Sequence, residues 1–236
     1  MEKQLLYSGK AKDVFATTND SELLIDYKDQ ATAFNGKVKE EIPGKGKLNC
    51  QISSYIFDYL IENGIKTHLL KNVSDHEQLV RKTQLIPIEV VLRNKIAGSF
   101  AKKFGLKLGQ ELTQPLIEFY YKSDELGDPF INDDQIVSLD IATEAELTFI
   151  REQTRQINQL LLALFNQDQL DLVDFKLEFG RVDNEIILID EFSPDNCRLW
   201  DQTSHQSLDK DVFRKKEADL VVTYQKVLNR LKGAQK

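Results

Sequence analysis

The thirty residues Leu172–Asp201, LVDFKLEFGRVDNEIILIDEFSPDNCRLWD, combine two apolar runs, a polar turn and an unusual density of charge. Asp174, Lys176, Glu178, Asp190, Glu191, Asp195, Arg198 and Asp201 all fall within them. Side chains alternate across a strand, so Asp174, Lys176 and Glu178 share one face while Phe175, Leu177 and Phe179 share the other. The apolar set reads as core and the charged set as the lining of a cleft. Charges inside buried strands are costly unless they are paired or bind ions, so the pattern implies a bound ligand.

Ile186–Ile189 forms the second strand, ending in Asp190 and Glu191, and Arg181–Glu185 is the hairpin turn between the two. A three-residue loop of Asp183, Asn184 and Glu185 places Glu178 opposite Asp190; a two-residue loop would put them on opposite faces. The three-residue loop is predicted, because two facing carboxylates make a site for a hard cation. Mg²⁺ suits such a site, held by a couple of carboxylates and by substrate phosphates. The alternative is a solvated strand edge carrying unrelated charges.

The 236 residues suffice for a full core in one or two domains, and 41% hydrophobic with 29% charged residues is ordinary for a soluble globular chain. A net charge of −7 argues against a nucleic-acid partner, although local basic clusters can still receive anionic substrates. MEKQLLYSGK has no apolar signal core, and no run approaches the roughly 18 apolar residues of a spanning helix, so no membrane partner and a cytoplasmic location are expected. Cys50 and Cys197 read as reduced thiols, and His68, His76 and His205 lack metal-ligand spacing.

Working outward, Leu5–Tyr7, Lys12–Thr17 and Glu22–Tyr27 read as strands, with turns at Ser8-Gly9 and Asn19-Asp20. Gly9, Lys10 and Lys12 in the first turn suit a phosphate, as glycine lets the backbone come close and the lysines supply charge; an ordinary hairpin with exposed lysines reads the same. Asp29–Pro43, with Gly36, Lys37 and Lys39, reads as a loop, and Gly44-Lys45-Gly46-Lys47 as an anion-binding or mobile loop before a helix over Leu48–Asn63. Strands follow at Thr67–Asn72, Glu77–Lys82, Ile86–Arg93 and Ile117–Tyr121, with a short helix at Phe100–Phe104 and an acidic, turn-rich segment at Asp124–Asp134. Arg93 and Ser99, beside a helix start, suit a phosphate or carboxylate. Thr143–Asn166 is the clearest helix, opened by a Thr143/Glu146 capping box; Leu208–Leu231 reads as a second, with Lys210 and Arg214 one turn apart near its start.

YSGKAKDVF (7–15), EVVLRNKIAGS (89–99), LVDFKLEFG (172–180), IDEFSPDNCRLWD (189–201) and LDKDVFR (208–214), in this order, resemble the SAICAR synthetase family in its short bacterial form. The resemblance implies an ATP-dependent ligase that joins the carboxylate of carboxyaminoimidazole ribonucleotide (CAIR) to L-aspartate in purine biosynthesis. It implies an α+β fold related to protein kinases and ATP-grasp enzymes. Residues 1–83 would form an N-terminal antiparallel sheet subdomain acting as a nucleotide lid, and 84–236 a larger α+β part, with ATP in the cleft between them. Gly9, Lys10, Lys12 and Lys82 would then meet ATP, and Glu178 and Asp190 would hold Mg²⁺ on its phosphates. Lys12, Lys176, Glu178 and Asp190 would be catalytic. Arg93, Ser99 and Arg198 would take the CAIR 5′-phosphate, with Lys176 and Asp195 near the imidazole or ribose, and Lys210 and Arg214 assisting. The Tyr121–Asp128 segment would face aspartate, whose amine proton would pass to Asp174, to Asp195 or to phosphate. A homodimer is expected from an apolar strand edge and family habit. A kinase, another ATP-dependent carboxylate–amine ligase, or a nucleotide-binding regulator without catalysis are the alternatives.

Overall fold

Alternating side chains and short polar turns build the first sheet. The computed structural model describes residues 4–33 and 38–233. It opens with the antiparallel strands β1 (Leu5–Ser8), β2 (Lys12–Ala16) and β3 (Glu22–Tyr27), close to the predicted spans. Then come β4 (Gln30–Ala33), β5 (Val38–Glu41), helix α1 (Lys45–Glu62), β6 (Leu69–Asn72) and β7 (Glu77–Arg81). The sheet order is β1-β2-β3-β7-β6, and β4 and β5 pair as a separate ribbon.

That ribbon corrects the loop predicted over Asp29–Pro43; Gly36 and Lys37 lie outside the described residues. The polar sequence hid it because its cohesion is backbone pairing, with Ala31 and Thr32 alone turned into the interior among its described side chains. Asp29 then accepts the backbone N–H groups of Gly44 (2.9 Å) and Gly46 (2.8 Å). The predicted Gly-Lys anion loop is also corrected, since Lys45 and Gly46 belong to the first turn of α1 and are buried. A Cβ on Gly46 would lie 2.2 Å from the Tyr27 carbonyl oxygen, so glycine is there to let the helix approach β3.

The second part contains β8 (Gln84–Leu85), β9 (Ile88–Lys95), α2 (Gly98–Phe104), β10 (Glu111–Tyr121), β11 (Phe130–Ile131), α3 (Asp133–Ser138) and α4 (Glu144–Gln167). It ends with β12 (Leu170–Val182), β13 (Glu185–Ile189), β14 (Cys197–Asp201), α5 (Asp211–Lys215) and α6 (Leu220–Leu231). Its sheet runs β11-β10-β9-β12-β13, and β14 and β8 also pair with β12. β12 is therefore the organising strand.

The capping box of α4 forms as predicted, with Thr143 Oγ1 accepting from Glu146 N–H. Ile150, Ile157 and Leu161 of α4 and Tyr224, Val227 and Leu228 of α6 join Phe175, Leu177 and Phe179 in one core. Ile52, Ile56 and Phe57 of α1 enter the same core, so a boundary at 83/84 separates the two large sheets but leaves α1 on the far side. The single helix predicted over Leu208–Leu231 is two: Lys216 turns left-handed (φ 58°) after α5, and the Asp219 carboxylate caps α6 through Val222 N–H. Part of the acidic, turn-rich Asp124–Asp134 segment forms β11 and the start of α3. Among the described residues no helix is long and apolar enough to cross a membrane.

The central hairpin overturns the predicted register. Glu178 pairs with Ile189 and Val182 with Glu185, leaving the two-residue loop Asp183-Asn184. Both loop residues have positive φ (50° and 62°), the conformation that matches the twist of a tight hairpin and that Asp and Asn tolerate.

Candidate active site

A one-residue slip should have parted Glu178 from Asp190, yet they meet. Asp190 lies beyond the end of β13 with φ 69°, so its side chain is released from strand alternation. Lys176 Nζ lies 2.5 Å from Glu178 Oε1, 3.2 Å from Asp190 Oδ2 and 3.1 Å from Glu89 Oε1. Lys122 adds a second ammonium at 2.6 Å from Glu178. From the first sheet, Lys12 on β2 reaches across to bond Asp190 and stands 3.4 Å from Glu191 Oε2. Burial alone would lower the pKa of Lys12, but Asp190 and Glu191 outweigh it and hold the ammonium above its usual range. Burial likewise opposes charge on Asp190, and the Lys12 and Lys176 cations overcome it, keeping that carboxyl well below its usual pKa.

His68 fixes the turn that carries Asp190. Its Nε2 is 2.9 Å from the Asp190 carbonyl oxygen, and since a carbonyl only accepts, Nε2 carries the proton. Burial, aided by the charge of Lys12, lowers the His68 pKa to about 4, so the ring is neutral near pH 7.

Three adjacent strands place Arg93 (β9), Asp174 (β12) and Arg198 (β14) in one row. Asp174 Oδ2 accepts from Arg93 Nη1 and Arg198 Nη1, both at 2.8 Å, while Oδ1 takes Arg198 Nη1 at 3.0 Å. Arg93 Nε also bonds Glu118 (2.6 Å), and Arg198 Nε bonds Asp211 (3.0 Å). Gly98 (φ 57°) lets α2 begin against Arg198: a Cβ there would sit 2.6 Å from its Nη2.

Two cavities meet at this cluster. One, of about 560 Å³, has apolar walls from Val14, Leu23, Ile25, Val80, Leu85 and Ile189, and holds Gly9, Lys10, Lys12, Glu178 and Asp190 of the predicted ATP residues. The other, of about 430 Å³, is lined by Arg93, Lys176, Asp195, Arg198, Lys210 and Arg214 of the predicted substrate set. Lys10, Ala11, Glu89, Lys176, Asp190 and Glu191 line both. A third cavity of about 980 Å³, beside Trp200, shares none of these residues.

Some predicted residues sit differently. Lys82 is exposed and outside the lining of either cavity, its backbone N–H donating to Ser21 O at 2.8 Å. Ser99 does not line the smaller cavity, and its hydroxyl instead accepts from Arg93 Nη2 at 3.3 Å. Asp195 borders that cavity with its carboxylate occupied, by Lys45 Nζ at 2.6 Å and Tyr224 OH at 2.6 Å. Burial resists its charge, yet Lys45 and Lys210 hold it well below the usual carboxylate range. Lys122, Asp124 and Asp128, from the segment expected to face aspartate, line the larger of the two cavities instead. Lys10 Nζ bonds Asp124 at 2.7 Å, and Arg214 bonds Asp211 at 2.5 Å.

Neither Glu89 nor His68 is singled out by the sequence as a site residue, Glu191 appears there without a role, and Lys45 and Lys122 appear only within longer segments. Glu89 and Glu191 carried a signal, being acids inside or at the end of apolar runs. His68 had none, and the partners of Lys45 (Asp195) and Lys122 (Glu178) are set only by tertiary packing.

The family model described as SAICAR synthetase matches residues 5–231. The chain is 60% identical to a phosphoribosylaminoimidazole-succinocarboxamide synthase of Latilactobacillus sakei, covering 98% of this chain and 96% of that protein. It is 52% identical to the synthase of that name from Listeria welshimeri, over the whole of both. Among solved structures, the synthase from Ehrlichia chaffeensis superposes with TM-score 0.95 at 44% identity, covering 97% of this chain and 98% of that one. A SAICAR synthetase in complex with ADP superposes with TM-score 0.94 at 43% identity, covering 98% of both. The α+β fold read from the sequence is that of these structures, and the chain belongs to the SAICAR synthetase family.

Proposed function

We propose that this chain is the ATP-dependent ligase that joins the CAIR carboxylate to L-aspartate, giving SAICAR, ADP and phosphate in purine biosynthesis. The observation that carries the reading is the shared wall: Lys176, Asp190 and Glu191 border both cavities, so a nucleotide in one would present its terminal phosphate to a substrate in the other. Family membership and the ADP-bound relative support the nucleotide side.

The donor set fits Mg²⁺. The Glu178 and Asp190 carboxylates already converge on one cation, the Lys176 ammonium, and buried Glu191 Oε2 accepts no hydrogen bond. Glu178 and Asp190 would hold the ion, which when bound supplies charge neutralisation on the phosphates. Lys12 and Lys176, freed from those carboxylates, would then face the anions.

A carboxylate is a poor acceptor for an amine because oxide would have to leave. In the proposed reaction a CAIR carboxylate oxygen attacks the γ-phosphorus, the bond to ADP breaks, and an acyl phosphate forms. Lys12 and Lys176 offset the repulsion between these anions. The aspartate nitrogen then attacks the acyl carbon, the C–O bond to phosphate breaks, and the amine proton leaves. Both Asp174 and Asp195 are occupied by cationic partners, so we assign the proton to the departing phosphate rather than to either carboxylate. Arg93, Arg198, Lys210 and Arg214 would gather the CAIR 5′-phosphate, and the division at 83/84 into lid and substrate part belongs to the same proposal. A homodimer would cover the exposed Leu5, Leu6 and Tyr7 of edge strand β1.

The test is ADP release measured with ATP, CAIR and aspartate, then with each acceptor omitted. Sustained release should require both. Full-rate ADP release without aspartate would point to a kinase or a different ligase.

A further inference from the structure

Glu191 is 95% hidden from solvent (5% exposed), and its Oε2 is buried without a hydrogen bond. Such an orphaned acceptor is costly, and the Lys12 ammonium, at 3.4 Å, is the nearer of the two cations, Lys12 and Lys45, that offset it. The carboxylate is not loose. Its Oε1 accepts from Ser193 Oγ at 3.4 Å, and its main-chain carbonyl accepts from Asn196 Nδ2 at 2.6 Å. Lys12 is also held from the other side, its ammonium 5.7 Å from the Tyr27 ring centroid. A seat for this ammonium thus exists apart from Asp190.

Asp190 shares itself between Lys12 and other cations. Its other oxygen lies 3.2 Å from Lys176, and under the function proposed above it turns to a metal ion once nucleotide is bound. We propose that Glu191 is a positioning residue that keeps the Lys12 ammonium fixed over the nucleotide phosphates when a bound cation draws Asp190 away. A lysine on a flexible four-carbon stem then has a rigid anion behind it and phosphates in front, which a contact to phosphate alone would not secure. This inference rests on the nucleotide reading of the cleft.

The experiment measures ADP affinity by calorimetry, with and without Mg²⁺, for wild type, Glu191→Gln, Lys12→Met and the double variant, together with steady-state KM values. Glu191→Gln should weaken ADP with Mg²⁺ by about tenfold, the loss of one charge-assisted contact, and raise KM for ATP while leaving KM for CAIR unchanged. ADP without Mg²⁺ should change much less, because Asp190 then still holds Lys12. The double variant should bind no more weakly than Lys12→Met alone. Equal weakening with and without metal, or additive losses in the double variant, would overturn the role. So would a loss confined to Mg²⁺ affinity, which would make Glu191 a metal ligand instead. If wild type itself binds no ADP, the function falls and the inference with it. Should Glu191→Gln not fold, Glu191→Asp keeps the buried charge, shortens its reach, and must show the same metal-dependent weakening.

Discussion

The His68 ring donates through Nε2 to the carbonyl oxygen of Asp190 at 2.9 Å, joining the start of β6 to the turn that presents the acid. The contact joins a neutral, buried imidazole to a residue in the left-handed region, and so secures a conformation the backbone would not keep by itself.

His68→Leu should therefore cost about 1–3 kcal/mol by orphaning that carbonyl, and lower turnover by letting Asp190 drift. A pH signature goes with it. The folded pKa of about 4 lies below the ordinary 6.5, so the folded state binds fewer protons between these values. Stability from His68 is complete above pH 6.5 and is lost as pH falls towards 4, on the order of 3 kcal/mol in all. Asp209, pushed up to about 6 by burial and by Asp211, has the opposite slope in both proteins. Urea unfolding at pH 7 and pH 5 should show a smaller pH loss in the variant; equal losses would remove His68 from the account.

Glu178→Gln and Asp190→Asn should each lower turnover by about two or more orders of magnitude with little loss of folding, because each would remove a ligand from the proposed cation site. Stopped or continuous ADP assays across a Mg²⁺ titration read this directly. Near-normal turnover in both variants would end the metal assignment.

The occupied carboxylate of Asp195 makes a different kind of claim. Asp195→Asn leaves Lys45, fully buried, without its anion, and breaking such a pair costs about 3–5 kcal/mol. Denaturant midpoints should fall accordingly, as they should for Lys45→Met. An unfolding free energy unchanged in both would return Asp195 to the substrate side alone.

At the proposed CAIR phosphate site, Arg198→Ala should mainly raise KM for CAIR. Gly98→Ala should do the same from outside the contact, since its Cβ would displace the guanidinium, and the positive φ adds about 1 kcal/mol or more of strain. Kinetics with varied CAIR at saturating ATP separate the effect from general damage: an unchanged KM in both variants would remove Arg198 from the phosphate site.

Much of the fold was legible because its signals are local. Capping at Thr143 and the alternation of Phe175, Leu177 and Phe179 depend on neighbours in the chain. The α1 start and the β4-β5 ribbon were misread for the converse reason. Lys45 and Gly46 look like a loop until Asp195 and β3 pack against them, and the ribbon draws its cohesion from backbone pairing that side-chain periodicity does not report.

The sequence by itself determined the chemistry of β12: acids and a lysine on one face, large apolar side chains on the other, and a second acidic cluster after the next strand. It also determined family membership, through five ordered motifs. Only the tertiary structure decided how Glu178 and Asp190 meet. The hairpin register that would have brought them together is not the one formed, and a left-handed residue past the strand end, tied by His68, does so instead. The physical reason is that strand alternation fixes side-chain direction only while the strand lasts. Beyond its end, packing and a hydrogen bond from a residue over a hundred positions earlier, at |i−j| = 122, choose the direction.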